Sequence, residues 1–212
     1  DKTETARRLR AAGVSTPRSL EALEDARYPE DYPLVIKPVD GAGSLGLRWL
    51  ESPPCYQVPC DSVERWRIER WVPGLPASVS LLCRGEELTV LSAGEQRFAP
   101  GPRRSYLGGR MPLPAAGSRR AARLARQALR ALPGAYGFVG VDLVLGDADD
   151  GSLDVVIEIN PRLTTSYIGL RALLPQNLPA LMVSMAEGSR VEVELTERLV
   201  EFDADGACRL IV

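Results

Sequence analysis

The feature of the sequence that most constrains its fold is a pair of apolar segments, residues 138–145 and 153–159, separated by a short acidic turn. Each has the length and the β-branched residues of a buried strand, so the two are predicted to pair as an antiparallel hairpin. Polar residues interrupt or directly follow these strands at Asp142, Glu158 and Asn160. Because side chains alternate along a strand, Glu158 and Asn160 share one face, and the hairpin brings Asp142 beside them.

This cluster of two carboxylates and one amide predicts a cation site. Neighbouring carboxylates repel each other unless a positive charge lies between them. A small number of oxygen ligands suits Mg²⁺, whose octahedral shell phosphate oxygens and water can complete. The alternative is a polar edge of a half-exposed sheet, which needs no ion. We favour the metal site because the acids interrupt otherwise continuous hydrophobic segments.

Composition excludes several classes of protein. The 212 residues are 45% hydrophobic and 25% charged, which suits a soluble globular chain of one domain or two intimate lobes. The sequence has no histidine, which excludes Ser-His-Asp and Cys-His nucleophilic sites and His-ligated metals. A net charge of −2 offers no general attraction for nucleic acid or an anionic membrane. No apolar run approaches the roughly 20 residues that span a bilayer, so we expect a cytoplasmic protein without a membrane partner.

Lysine is scarce, and its scarcity makes the remaining lysines candidates for function. Of the 26 basic residues only Lys2 and Lys37 are lysines, and the others are arginines. An ammonium and a guanidinium are not interchangeable at a tight site. We therefore expect both lysines to contact a ligand.

The cysteines Cys55, Cys60, Cys83 and Cys208 lack the spacing of redox pairs or of common zinc sites. An all-thiolate zinc site is one interpretation. Cys83 lies inside an apolar, strand-like segment, which disfavours a role as a ligand. We expect reduced structural thiols instead.

The remaining pattern predicts an α+β fold with mostly antiparallel strand pairs. A helix is expected over 18–26. The segment 97–114, rich in proline, glycine and arginine, is expected to be a long functional loop. The other predicted helices cover 3–12, 118–132 and 178–187, and the other predicted strands cover 32–38, 47–50, 67–72, 78–83, 88–93 and segments within 191–212.

A glycine-rich segment follows the predicted strand at 32–38. Gly41, Gly43 and Gly46 have the spacing of a dinucleotide-binding fingerprint, but that motif must open a helix. The residues after Gly46 are strand-like, few in number and ended by prolines. A flexible glycine hairpin preceded by Lys37 can instead fold over a triphosphate, with its backbone N–H groups directed at phosphate oxygens. A plain surface hairpin is the alternative.

Taken in order, five segments resemble the ATP-grasp superfamily. They are Asp1-Lys2, Val35-Ile-Lys-Pro38 with its glycine loop, Ile68-Glu-Arg-Trp-Val-Pro-Gly74, Gly137-Phe-Val-Gly-Val-Asp142 and Glu158-Ile-Asn-Pro-Arg162. The resemblance implies two lobes with mostly antiparallel sheets that clamp a nucleotide, a small lobe at 1–72 with the glycine-rich loop and a large lobe at 73–212 with the metal site. Members usually carry an additional α/β domain before the position of Lys2. Because the sequence opens without Met, we expect an excised domain that lacks it.

The resemblance also implies roles for individual residues. The α- and β-phosphates of ATP would be contacted by Lys2 and Lys37, and the γ-phosphate would be covered by Ser44, Leu45 and Gly46. The adenine would be held by Glu69 and by the backbone around Trp71 and Val72. Two Mg²⁺ ions, with Mn²⁺ as a substitute, would be carried by Asp142, Glu158 and Asn160. Charge developing on the acyl phosphate or tetrahedral intermediate would be stabilised by the catalytic residue Arg162.

The segment from Glu158 to Gly169 is similar to a narrower branch, the tyramine–glutamate ligases of methanofuran-type cofactor synthesis and their bacterial relatives. Hydroxyl groups would then be presented to phosphate or substrate by Thr164, Thr165 and Ser166, whose alternative role is a strand-to-helix cap. The acceptor side would be lined by Arg104 and Tyr106. Two positions depart from the family pattern. The acidic residue that commonly binds ribose is replaced by Gly74-Leu-Pro-Ala77, and Gly140 stands where D-alanine ligases carry an arginine.

These observations predict an ATP-dependent carboxylate–amine ligase. A substrate carboxylate would attack the γ-phosphate of ATP to form an acyl phosphate and ADP, and an amine would then displace phosphate to give an amide. Small-molecule substrates, such as glutamate and a small amine, are expected, and a homodimer is an option. Two alternatives stay open. One is a glutamate-adding ligase that modifies proteins, and the other is an ATP-binding module without turnover.

Overall fold

Two antiparallel sheets form the framework of the chain, which a computed structural model describes at residues 1–26, 28–40, 46–53, 66–101 and 104–211. The small sheet contains β1 (Ser19–Leu20), β2 (Leu34–Pro38), β3 (Arg48–Leu50) and β4 (Trp66–Arg70), in the order β1-β4-β2-β3. The large sheet contains β5 (Leu75–Arg84), β6 (Glu87–Phe98), β7 (Tyr106–Met111), β8 (Tyr136–Leu145), β9 (Val155–Asn160), β10 (Leu199–Asp203) and β11 (Cys208–Ile211), in the order β11-β10-β7-β6-β5-β8-β9. The strand pairings in these ranges are antiparallel, which confirms the predicted α+β class.

Helices cover both faces of the large sheet. They are α1 (Lys2–Ala11), α2 (Ala115–Arg130), α3 (Tyr167–Leu173) and α4 (Leu178–Ala186). One core joins α1 and α2 to the sheet and includes Leu9, Val79, Leu124 and Val141. The other core lies under α3 and α4 and includes Leu82, Phe138, Leu170, Leu178 and Phe202. Because neighbouring residues of a strand face opposite ways, Val141 enters the first core and Asp142 faces away from it.

Residues 18–26 do not form the predicted helix. Ser19 and Leu20 instead form β1, an edge strand that pairs with β4, and a single 3₁₀ turn follows at Leu23–Asp25. Leu20 and Leu23 pack against Ile68 in the core of the small sheet. Strand pairing and burial therefore outweigh a short local helical preference.

The segment 97–114 is not one long loop, because it contains β7 between β6 and β10. Its glycines allow close packing. A Cβ added to Gly108 would lie 2.7 Å from the Cα of Asp203, and one added to Gly109 would lie 2.7 Å from Cζ of Phe202. The composition that predicted a loop is thus explained by a strand pressed against its neighbour.

Cys83 and Cys208 are free thiols, the first buried and the second exposed, while Cys55 and Cys60 lie outside the described residues. Burial raises the pKa of the Cys83 thiol to about 11, which suits a structural role. No helix in the described ranges has the length and apolar character that a membrane span requires.

Candidate active site

A cleft of about 490 Å³, lined by residues of both sheets, gathers most of the predicted site residues. Those that line it are Lys2, Lys37, Glu69, Trp71, Val72, Arg104, Tyr106, Asp142, Glu158, Asn160, Arg162, Thr164, Thr165 and Ser166. Gly46 is exposed beside Pro38 and is not among the lining residues. Ser44 and Leu45 lie outside the described residues. Fourteen predicted site residues from several separate segments thus line one cleft, while their roles stay predictions.

A β-bulge on β9 brings the two predicted metal-binding acids together. Asp142 pairs with Glu158, whereas the next residue of β8, Leu143, pairs with Val156, so Ile157 is an extra residue in β9. Val156 packs in the core under α2. The inserted residue changes the alternation, so that Glu158 lines the cleft beside Asp142.

The carboxylate of Asp142 is held by donors from three strands. Asn160 donates its Nδ2 to Oδ2 at 2.9 Å, Gln96 donates its Nε2 to Oδ1 at 3.0 Å, and Ser78 also bonds to the carboxylate. The pKa of Asp142 is raised to about 6, chiefly by burial and further by the charge of Glu158, against the hydrogen bonds from Ser78 and Gln96. A cation beside the two carboxylates would relieve both unfavourable effects.

The side-chain oxygens of Asp142, Glu158 and Asn160 fit a divalent cation, which binds through oxygen. The described ranges contain no group of three or more Asp, Glu, Cys or His side chains placed to hold a metal. A cation here would therefore rely on Asp142, Glu158, the amide of Asn160 and oxygens of the ligand. Arg162 lies beside this group, since its Nη2 donates to Oδ1 of Asn160 at 3.1 Å.

The two lysines approach the cleft from different elements. Lys2, on α1, places its Nζ 3.3 Å from Oε1 of Glu158 and 3.4 Å from the carbonyl oxygen of Val39. Lys37, on β2, places its Nζ 2.6 Å from Oε2 of Glu69. Each ammonium thus lies beside a carboxylate of the cleft.

An aromatic cluster forms one wall of the cleft. The rings of Trp49 and Trp71 meet edge to face with centroids 4.5 Å apart. The guanidinium carbon of Arg104 lies 3.8 Å from the Trp49 centroid and 4.8 Å from the Trp71 centroid. Arg104 therefore connects the β6–β7 segment with the small sheet through cation–π contacts.

Hydroxyl groups line the end of the cleft beyond Asn160. Oγ of the buried Ser166 lies 2.6 Å from Oγ1 of Thr164 and 2.9 Å from Oγ of Ser80. A Cβ added to Gly140 would lie 2.6 Å from Cγ2 of Thr164. The absence of a side chain at 140 therefore leaves room for this chain of hydroxyls. Tyr106, whose pKa is raised by burial and by the charge of Asp142, lines the same cleft.

Sequence reasoning missed Ser78, Ser80, Gln96 and Trp49. Ser78 and Ser80 pair with Asp142 and Gly140, and they alternate with apolar residues in β5. This period-two pattern could have marked both as lying on the Asp142 face of the sheet, where Ser78 lines the cleft. Gln96 and Trp49 carry no such local signal, because strand pairing between distant segments determines what they contact.

Comparison with known proteins bears on both fold and family. The ATP-grasp domain family model matches residues 1–166. The chain is 28% identical over 158 residues to tyramine–L-glutamate ligase of Methanocaldococcus fervens, covering 74% of the chain and 44% of that relative. The corresponding ligase of Methanocaldococcus jannaschii is 28% identical over 178 residues, covering 82% and 50%. The chain thus spans about half the length of these relatives.

Solved structures show the same fold at lower identity. Biotin carboxylase from Campylobacter jejuni, in its β,γ-ATP complex, aligns with a TM-score of 0.76 and 17% identity, covering 95% of this chain and 50% of that one. The shared fold agrees with two antiparallel sheets around a cleft, and the family model spans the small sheet and strands β5 to β9 of the large sheet. The chain therefore belongs to the ATP-grasp domain family.

Proposed function

We propose that this chain is the nucleotide-binding part of an ATP-dependent carboxylate–amine ligase that forms an amide through an acyl phosphate. The observation that carries the proposal is the meeting of Asp142, Glu158 and Asn160 on one face of the β8–β9 hairpin, in a cleft that also holds both lysines of the sequence. The family membership and the names of the relatives support the same activity.

The residues of the cleft divide into groups with different tasks in this proposal. Lys2 and Lys37 hold the phosphates of ATP, and Asp142, Glu158 and Asn160 hold Mg²⁺. Mg²⁺ bound by these three residues would neutralise part of the phosphate charge. Arg162, fixed beside Asn160, stabilises negative charge that develops at the reacting carboxyl group. The wall around Trp71 and Val72 receives the adenine.

The reaction balances without a covalent enzyme intermediate. A substrate carboxylate oxygen attacks the γ-phosphorus, the bond from that phosphorus to the bridging oxygen breaks, and ADP leaves. An amine nitrogen then attacks the acyl carbon, phosphate leaves, and the amine proton passes to solvent. The side chains position these groups in line and exclude water, which is consistent with a sequence that has no histidine.

The relatives' names make L-glutamate and tyramine the first substrates to test. Thr164, Thr165, Ser166 and Tyr106 would line the acceptor side of the cleft.

Six further points remain predictions. They are two bound ions, replacement of Mg²⁺ by Mn²⁺, a small lobe at 1–72, a large lobe at 73–212, a homodimer and a cytoplasmic location. The boundary at 72 falls between β4 and β5, the last strand of the small sheet and the first of the large sheet.

The test is calorimetric binding of ATP with Mg²⁺ to the wild type, to Glu158→Ala and to the control Glu87→Ala. Glu87 is exposed on β6 and pairs with Arg84 outside the cleft. We expect Glu158→Ala to lose affinity at least about tenfold and Glu87→Ala to match the wild type. Equal affinity of all three proteins would contradict the metal-site assignment.

ADP release in the presence of L-glutamate and tyramine then separates the candidate functions. Release that depends on both compounds supports the ligase. Preference for a protein acceptor would favour the protein-modifying alternative. Nucleotide binding without ADP release under any of these conditions would favour an ATP-binding module without turnover.

A further inference from the structure

Three charged side chains are buried together on one face of the small sheet. Lys37, Arg67 and Glu69 are 8%, 5% and 4% exposed. Lys37 on β2 and Arg67 on β4 are direct cross-strand partners, and like charges in that arrangement repel. Glu69, two residues from Arg67, lies between them. Its Oε2 is 2.6 Å from Nζ of Lys37, and its Oε1 accepts a hydrogen bond from Nε of Arg67.

The carboxylate of Glu69 therefore pairs with two cations, so these three side chains together carry one excess positive charge. Nη2 of Arg67 is also buried without a hydrogen-bond partner in the part of the chain that the structure describes. An uncompensated buried charge is costly, so an anion beside this group would stabilise it. Lys37 and Glu69 line the cleft, whereas Arg67 does not. An anion in the cleft thus meets Lys37 and not Arg67.

We infer that Arg67 is a positioning residue for Lys37, acts through Glu69, and thereby increases the affinity of the cleft for the phosphates of a nucleotide. The inference rests on the proposed function, because it requires a nucleotide in the cleft. By holding one oxygen of Glu69, Arg67 leaves Lys37 with a single carboxylate oxygen. An ammonium has three N–H donors, so two remain for phosphate oxygens.

Removal of Arg67 changes this balance in a defined way. Glu69 alone would then face Lys37 and would neutralise it. The excess positive charge would disappear, although Lys37 itself would be unchanged. Removal of the carboxylate as well, by Glu69→Gln, would leave Lys37 as the single charge and restore the attraction for phosphate.

The test compares ATP with adenosine, which has the same base and ribose but no phosphate. Dissociation constants for both are measured by calorimetry for the wild type, Arg67→Gln and the double variant Arg67→Gln/Glu69→Gln. The matched control is Arg48→Gln, on β3 of the same sheet, whose guanidinium lies over Trp66 and outside the cleft. We expect Arg67→Gln to weaken ATP binding about tenfold and to leave adenosine binding unchanged. In the double variant, the ratio of ATP affinity to adenosine affinity returns towards that of the wild type.

Each outcome decides for or against the inference. Because Glu69 is also a predicted adenine contact, the double variant is judged by its ratio of ATP affinity to adenosine affinity. Equal weakening of ATP and adenosine binding by Arg67→Gln would show a merely structural role and overturn the inference. A double variant whose ratio falls below that of the single variant would overturn it as well. If Arg67→Gln does not fold, circular dichroism reports the fold of the double variant, a near-wild-type ratio supports the inference, and a loss confined to ATP overturns it.

The proposed function fails separately from this inference. A wild type that binds neither ATP nor adenosine overturns the proposed function and the inference that rests on it. A wild type that binds both, with ATP affinity unaffected by Arg67→Gln, overturns only the role of Arg67.

Discussion

Asp142 and Glu158 are direct cross-strand partners on β8 and β9, so two carboxylates face each other across one pair of strands. Neighbouring like charges destabilise a sheet, and burial adds to the cost for Asp142, whose pKa is about 6. Lys2 offsets part of this repulsion, since its Nζ lies 3.3 Å from Oε1 of Glu158. A cation bound beside both carboxylates would relieve the rest.

Asp142→Asn should stabilise the metal-free protein at neutral pH while weakening the binding of ATP with Mg²⁺. A carboxyl group whose pKa is higher in the folded state binds more protons folded than unfolded, so its charged form costs stability above pH 6. We expect a gain of about 1–2 kcal/mol at pH 7.5 in EDTA. Urea denaturation measures it. The gain should shrink as the pH falls from 6 towards 4, and an equal gain at both ends would contradict this origin.

Gly140→Ala should disrupt the hydroxyl chain at the end of the cleft. The new Cβ would lie 2.6 Å from Cγ2 of Thr164, so Thr164, whose Oγ1 lies 2.6 Å from Oγ of Ser166, must shift. We expect a loss of about 1–3 kcal/mol in the free energy of unfolding. Thr164→Ser removes the clashing methyl group, so the double variant Gly140→Ala/Thr164→Ser should recover most of the loss. A double variant as unstable as Gly140→Ala would show that Thr164 is not the obstacle.

Arg104 and Trp49 should be energetically coupled. The guanidinium carbon lies 3.8 Å from the Trp49 centroid, which is an ordinary cation–π distance. A double-mutant cycle with Arg104→Ala and Trp49→Leu, followed by urea denaturation, should give a coupling of about 0.5–2 kcal/mol. The control cycle pairs Arg48 with Trp66, where the distance is 5.4 Å, and should give a smaller value. Additive effects in the first cycle would contradict the contact.

Asp154→Ala should be among the more destabilising single changes in the large sheet. Asp154 is 4% exposed, accepts hydrogen bonds from Nε and Nη2 of Arg120, and accepts another from the backbone N–H of Gly146 at 3.0 Å. Its removal leaves the partly buried Arg120 with a backbone acceptor at Gly146 but without its carboxylate partner, at a cost of about 3 kcal/mol. Thermal and urea denaturation measure it. Arg119→Ala, at the exposed neighbour of Arg120 on α2, should change stability by less than about 0.5 kcal/mol.

Local patterns predicted the elements that supply most of the site. The apolar, β-branched character of two segments predicted β8 and β9, and the polar residues in and after them marked Asp142, Glu158 and Asn160. The scarcity of lysine marked Lys2 and Lys37, which the structure brings to the same cleft. The strands could be predicted because the composition of a strand is a property of a short segment, while the roles of these residues stay predictions.

The sequence by itself therefore determined the α+β class, the hairpin and the candidate ligands. Only the tertiary structure decided which of them meet. The extra residue Ile157 turns Glu158 towards Asp142, pairing with β2 buries Arg67 beside Lys37, and packing on Ile68 makes residues 19–20 a strand instead of a helix. The physical reason is that register, bulges and buried charge groups depend on contacts between segments far apart in the chain, whose energies no local pattern contains.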